Sequence, residues 1–288
     1  MFKRAVFGSI FVSIVSICLY LGSFYWIILL TFFFGVSIYE MQKNTIKESK
    51  TYHVVINNTL LILWFICSIV AHYHYQGVFS TTTILPLPLG YLAAFLFAIP
   101  TMLITIGIAL IDGEKANFKQ LQQQYFCLSY LGFGYLALAF IRHDLIMVSD
   151  MSNSLYFAFA SVVGVWVSDT FAYLFGKFIG KHKLNPSISP NKTWEGFIGG
   201  IFATIIFQYL FLFIYLEVCT SVEAIIYGML LSIVATAGDL FQSLWKRTMK
   251  IKDSGKIIPG HGGILDRMDA QLLAAPFSLF YWILLHHI

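Results

Sequence analysis

Residues 5–39 and 51–111 contain no Asp, Glu, Lys or Arg. One helix crossing a bilayer needs about 20 predominantly apolar residues, so each run is long enough to span a membrane, and the chain reads as a polytopic membrane protein. Over 288 residues it is 58% hydrophobic and 11% charged, where soluble domains carry roughly 25% charged residues. That balance, with a mean hydropathy of +0.77, excludes a secreted disulfide scaffold, a disordered chain and a soluble nucleic-acid binder, despite the net charge of +4. The four cysteines, Cys18, Cys67, Cys127 and Cys219, show no metal-ligand or CxxC spacing and read as small hydrophobes. Lys3 and Arg4 precede an apolar run that continues past the roughly 7–15 residues of a signal-peptide core, so the run is a first span.

Cutting at Gly, Pro and charge clusters gives spans at 5–22, 24–39, 57–75, 89–111, 124–141, 154–176, 195–216, 223–245 and 269–286. The expected fold is therefore all-α, a polytopic integral membrane protein with about nine transmembrane helices. Continuous apolarity favours helices over barrel strands, which would alternate. Pro100 should kink the fourth span. With the N-terminus cytoplasmic, 17 of the 18 Lys and Arg residues fall inside and only Arg142 outside, as the positive-inside rule requires. The organisation expected is about five spans in 1–150, then a catalytic region, 151–288, with cytoplasmic loops at 177–194 and 246–267.

The acidic residues mark where chemistry belongs. Asp169 lies in the sixth span, Asp239 in the eighth, and Asp266 and Asp269 where the ninth begins. A carboxylate at membrane depth costs several kcal/mol unless paired, metal-bound or solvated. Ion pairs would explain each singly; four near one membrane face point to a cation site. Asp266 and Asp269 are i and i+3, while Asp239, Gln242, Ser243 and Lys246 form one helical stripe. Oxygen ligands without nearby His or Cys suit Mg²⁺, which usually serves substrate phosphates.

Lys246, Arg247, Lys250, Lys252 and Lys256 crowd the connecting segment, followed by Pro259-Gly260-His261-Gly262-Gly263. Basic residues alone would be a stop-transfer flank or a patch for anionic lipid. The glycines add backbone N–H groups free to turn toward an anion, with a helix N-terminus facing the same place. His261 is a candidate phosphate contact or proton carrier.

The stretch Ser243-Leu244-Trp245-Lys246-Arg247, Lys252-Asp253, Gly255, Ile258-Pro259, His261-Gly262-Gly263, Asp266-Arg267 and Asp269 resembles the signature of the phosphatidate cytidylyltransferases, the CDP-diacylglycerol synthases. Trp245 departs from the aliphatic residue or Phe usual there. The resemblance extends upstream through Asp169, Ala172-Tyr173, Gly176-Lys177, Gly180-Lys181, Ser189-Pro190, Lys192-Thr193, Glu195-Gly196, Gly199-Gly200 and Gly238-Asp239, covering about residues 160–270. The earlier spans match it only in being hydrophobic.

The resemblance implies a homodimeric, multi-pass enzyme of the inner membrane that converts CTP and phosphatidate to CDP-diacylglycerol and pyrophosphate with Mg²⁺, a second cation being left open. Its partners would be CTP, phosphatidate and the bilayer, with no nucleic acid, and its active site would face the cytoplasm. Asp239, Asp266 and Asp269 would hold metal, and Lys246, Arg247, Lys252 and Arg267 would neutralise phosphates. Ser243, His261, Gly262 and Gly263 would contact substrate. Asp169 and Lys192 would complete the nucleotide side, where Tyr173 or Trp194 could stack on a base or anchor at the interface.

A CTP-dependent polyprenol or phytol kinase would use the same groups on another acceptor. An ion-coupled transporter would also carry intramembrane Asp residues, but predicts similar half-repeats, whereas the polar groups here crowd into the second half. A CDP-alcohol phosphatidyltransferase, suggested by Asp112-Gly113-Glu114-Lys115-Ala116, fails because Asn117 replaces the required Arg.

The charge bias makes the 177–194 loop cytoplasmic. A single cysteine at Ser187, in a chain lacking the native four, should resist a membrane-impermeant thiol reagent in intact cells and react in inverted vesicles. Labelling in intact cells would reverse the topology.

Overall fold

The computed structural model describes residues 2–45, 62, 65, 118–142, 151–260 and 262–287. Apart from Ile62 and Phe65, the spans expected at 57–75 and 89–111 lie outside the described residues, as do Pro100 and His261. The described chain is mostly helical: α1 (Phe2–Leu21), α2 (Ser23–Thr45), α3 (Phe118–Arg142), α4 (Met151–Phe178), α5 (Trp194–Gln208), α6 (Ser221–Thr248), the short α7 (Leu265–Met268) and α8 (Gln271–His287). Among the described residues, four stretches are long and apolar enough to cross a membrane: Ser23–Thr45, Ser154–Phe178, Trp194–Tyr215 and Ser221–Thr248. The third combines α5 with the wider π-helical segment Tyr209–Tyr215.

The 177–194 segment, expected as a basic loop, is instead partly a two-stranded antiparallel hairpin. Its strands are β1 (Lys183–Asn185) and β2 (Ser189–Thr193). Asn185 Oδ1 accepts hydrogen bonds from Ser187 Oγ and the Ile188 N–H, closing the turn, as short Asx side chains do. Strand β2 reads Ser-Pro-Asn-Lys-Thr, with no apolar alternation to signal it.

The chain divides into two compact units, one of Met1–Phe140 with Asp253–Arg267, the other of Ile141–Lys252 with Met268–Ile288. In the first unit, α1 and α2 form a helical hairpin whose single linking residue, Gly22, has φ +124°, a conformation open to glycine. Trp26 Nε1 donates to the Leu138 carbonyl at 2.9 Å, and Ser37 Oγ lies 2.7 Å from the Tyr135 hydroxyl. Phe34 packs its ring against both Phe65 and Tyr135.

The second unit packs α5 between α4 and α6 through small residues. On α5 and its π-helical extension, Gly196, Gly199, Gly200, Thr204 and Gln208 are buried, while Ile198, Phe202, Ile206 and Leu210 are exposed at four-residue intervals. Large apolar side chains outward and small or polar ones inward is the inverse of a soluble helix and suits a lipid-facing surface, because close backbone approach replaces the hydrophobic effect in holding membrane helices together. Inside, polar groups find partners: Gln208 Nε2 donates to the Ala160 carbonyl and Gln271 Nε2 to the Val162 carbonyl, both at 2.9 Å. Ser168 and Ser232 pair at 2.7 Å, and the Tyr227 hydroxyl meets both Ser161 and Ser278.

One tight crossing is at Gly228 on α6, where a Cβ would lie 2.8 Å from Ile205 Cα and 3.0 Å from the Thr204 carbonyl. Both obstacles are backbone and cannot rotate away. Gly228→Val should therefore destabilise the detergent-solubilised protein by about 1–3 kcal/mol. The neighbouring, outward-facing Met229→Ala should stay within about 0.5 kcal/mol, with thermal unfolding midpoints as the measurement.

Candidate active site

The hairpin and α6 bring opposite charges together within the second unit. Thr193 ends β2 and caps α5, its side chain accepting from the Gly196 N–H at 3.1 Å. Glu195, in the first turn, reaches back to the segment before the hairpin. It accepts from the Lys181 N–H at 3.0 Å and meets His182 Nδ1 at 2.6 Å. With the hairpin so held, Lys192 Nζ sits 2.6 Å from Asp239 Oδ2, both side chains being one-quarter exposed. Ser243 Oγ, one turn along α6, donates to Asp239 Oδ1 at 3.3 Å.

Asp269 lies just before α8, where its Oδ1 accepts from the Ala270 N–H at 2.9 Å. It interacts electrostatically with Asp239, Lys246 and Asp169. Gly238 permits this approach: a Cβ there would stand 3.0 Å from the Asp269 carbonyl and 3.1 Å from Leu273 Cβ. Asp169, Asp239 and Asp269 thus gather with Lys192 and Lys246.

Arg247 is exposed and its Nε and Nη1 make long, 3.4 Å contacts to the Ile188 and Ile251 carbonyls. It therefore tethers the hairpin loosely to the end of α6. Lys252 and Arg267 are exposed. Gln242, on the Asp239 stripe, is buried with neither amide atom bonded. Both aromatics expected to stack on a base or anchor at the interface are exposed; Lys177 Nζ lies 6.0 Å from the Tyr173 ring centroid, and Trp194 packs edge-on against Phe197.

In the first unit, the 253–267 segment is held by two carboxylates. Asp266 Oδ2 accepts from the Ser254 N–H at 2.7 Å, Ser254 Oγ at 3.0 Å and the Gly263 N–H at 3.0 Å. Glu40, from α2, accepts from Ser254 Oγ at 2.9 Å, the Ile264 N–H at 3.2 Å and the Leu265 N–H at 3.0 Å. Within the segment the Ile258 N–H donates to the Gly262 carbonyl at 2.9 Å, and Gly260 and Gly262 have φ of 79° and 83°.

The Gly263 N–H and the start of the helix after it, assigned from composition to a substrate phosphate, face the protein's own carboxylates. Asp266, expected as a metal ligand, also has its Oδ2 engaged by three donors of this loop. Glu40 was not anticipated at all. Its partners stand more than 200 residues away in sequence, so no local spacing could reveal it.

Among the described residues, no group of three His, Cys, Asp or Glu side chains stands together as a ready cation cage. The donor chemistry nonetheless suits a hard divalent ion: carboxylate oxygens in electrostatic contact, with a nearby hydroxyl. Lys192 supplies the positive charge at Asp239.

The model of the cytidylyltransferase family matches residues 2–285, so the likeness extends well beyond the 160–270 stretch recognised in the sequence. The chain is 42% identical over 155 residues to the phosphatidate cytidylyltransferase of Staphylococcus aureus (strain COL), covering 52% of this chain and 56% of that one. It is 41% identical over 154 residues to that of Staphylococcus haemolyticus, covering 52% and 56%. The Bacillus subtilis (strain 168) protein of the same name is 38% identical over 168 residues, covering 57% and 62%. The chain thus spans little more than half the length of these curated relatives.

A part-exposed ion pair contributes at most about 1 kcal/mol to stability. Lys192→Met should accordingly shift the thermal midpoint by an amount equivalent to about 1 kcal/mol or less. A larger loss would mean that the pair holds the hairpin in place.

Proposed function

The chain belongs to the cytidylyltransferase family, and we propose that it transfers a cytidylyl group from CTP to phosphatidate, giving CDP-diacylglycerol and pyrophosphate. The observation carrying this reading is the gathering of Asp169, Asp239 and Asp269 with Lys192 and Lys246 in one unit. The family membership favours it over the lipid kinase and the transporter.

A phosphate oxygen of phosphatidate attacks the α-phosphorus of CTP. The bond to the bridging oxygen breaks, and pyrophosphate leaves with that electron pair. Little covalent chemistry falls to the protein, so positioning and charge neutralisation carry the rate. Lys192, Lys246, Arg247, Lys252 and Arg267 would meet the phosphates by side-chain charge, since the Gly263, Ile264 and Leu265 N–H groups are already engaged. On nucleotide binding, Lys192 would move from Asp239 to a phosphate, leaving that carboxylate to a cation.

When bound, Mg²⁺ supplies hard positive charge against the triphosphate. Asp239 and Asp269 would hold it, and Asp266 remains a candidate ligand. In this reading the enzyme has about nine spans, faces its site to the cytoplasm from the inner membrane, and works as a homodimer. His261 and Gly262 remain candidate substrate contacts.

Asp239→Asn and Asp269→Asn should each lower turnover by on the order of 10²-fold or more and abolish stabilisation by Mg²⁺ with CTP, while the protein stays folded in detergent. If these carboxylates serve only in ion pairs, the variants should instead lose stability, or remain active with unchanged Mg²⁺ dependence.

A further inference from the structure

We propose that Glu40 is a positioning residue for the reaction: from α2, it fixes the conformation of the 253–267 loop and thereby the loop's substrate-binding groups. The proposal rests on the cytidylyl-transfer reading and extends it to a helix outside the recognised signature.

The geometry is specific. Glu40 is 2% exposed, buried where the apolar part of α2 gives way to its polar last turn, and a buried carboxylate without partners would be costly. Both its oxygens are engaged by the loop, Oε1 by the Ile264 N–H and Oε2 by the Leu265 N–H and Ser254 Oγ. The loop's composition matches the carboxylate: a Cβ on either Gly255 or Gly263 would collide with the Glu40 side chain. Asn44, one turn on, donates through Nδ2 to the Ser254 carbonyl at 2.8 Å. One face of α2 is thus devoted to one loop.

Ser254 is the junction. Its hydroxyl, whose one proton the two carboxylates share, lies 2.9 Å from Glu40 and 3.0 Å from Asp266, while its N–H donates to Asp266. Glu40 therefore bears on Asp266 through a shared partner, and on Arg267 through the two N–H groups it binds just before it in the chain. A mere anchor for α2 would need one such bond. Three bonds to the loop and two glycines shaped to the carboxylate specify the loop's path.

The experiment uses the full chain in detergent, wild type against Glu40→Gln and Ser254→Ala. Glu40→Gln keeps the size but turns an NH₂ toward N–H donors, losing acceptors that the loop needs. Peptides covering 253–267 should exchange amide hydrogen about tenfold faster or more in both variants, with exchange elsewhere unchanged. The KM for CTP should rise about tenfold or more; a role confined to folding would lower the active fraction and leave KM alone. In the double variant the losses should be less than additive, because both residues act through one contact.

Unchanged exchange in 253–267, or an unchanged KM for CTP in folded Glu40→Gln and Ser254→Ala, would overturn the proposal. If Glu40→Gln does not fold, Ser254→Ala decides by the same two readouts. Hydrogen exchange needs no substrate, so it tests the clamp separately. Failure of the wild type to make CDP-diacylglycerol would instead remove the reading beneath it.

Discussion

A carboxylate set into an apolar helix must find positive charge or hydrogen-bond donors, because lipid offers neither. The chain meets this requirement in two ways. Asp239 is met by an ammonium, Lys192 Nζ at 2.6 Å, delivered by a polar hairpin. Glu40 is met by neutral donors, two backbone N–H groups and a hydroxyl. The first solution is reversible, since a part-exposed lysine can exchange its partner for a phosphate. The second is fixed, since a backbone N–H leaves only if the loop changes path. On the proposed function, triphosphate transfer calls for groups that can change partners and for loops that hold still.

The helical framework was legible because membrane helices declare themselves by length and apolarity. The runs expected at 5–22, 154–176, 195–216 and 223–245 correspond to α1, α4, α5 with its π-helical extension, and α6, with ends shifted by a few residues. The departures are physical. α2 runs on to Thr45, past the charge at Glu40 that had ended the span at 39, because that charge is satisfied by the loop. α3 begins at Phe118, ahead of the 124 expected, since the polar Gln-rich turn is helical without being apolar. The hairpin was missed because strands held by ladder bonds and an Asn turn need no alternating pattern when they bury little.

Much of the candidate site was equally legible. Asp169, Lys192, Asp239, Ser243, Lys246 and Asp269 could be chosen from helical spacing and the family signature, and the second unit brings them into contact or electrostatic reach. The glycine-rich run was read less well. Its turns at Gly260 and Gly262 do adopt the left-handed conformation that glycine allows. The N–H groups of Gly263, Ile264 and Leu265, just after these turns, face carboxylates of the protein itself, Asp266 and Glu40. Composition can show that a loop is able to present N–H groups; it cannot show which carboxylate, two hundred residues away, receives them.

The central claim is cytidylyl transfer to a phosphate-bearing lipid, and the fate of each phosphorus tests it most directly. The purified chain should be given phosphatidate and Mg²⁺ with CTP labelled at the α-phosphate in one reaction and at the γ-phosphate in another. The account predicts that the α label enters the lipid phase as CDP-diacylglycerol and that the γ label stays in water as pyrophosphate. Entry of the γ label into lipid would make the protein a lipid kinase, and the absence of both labels from lipid would contradict cytidylyl transfer outright.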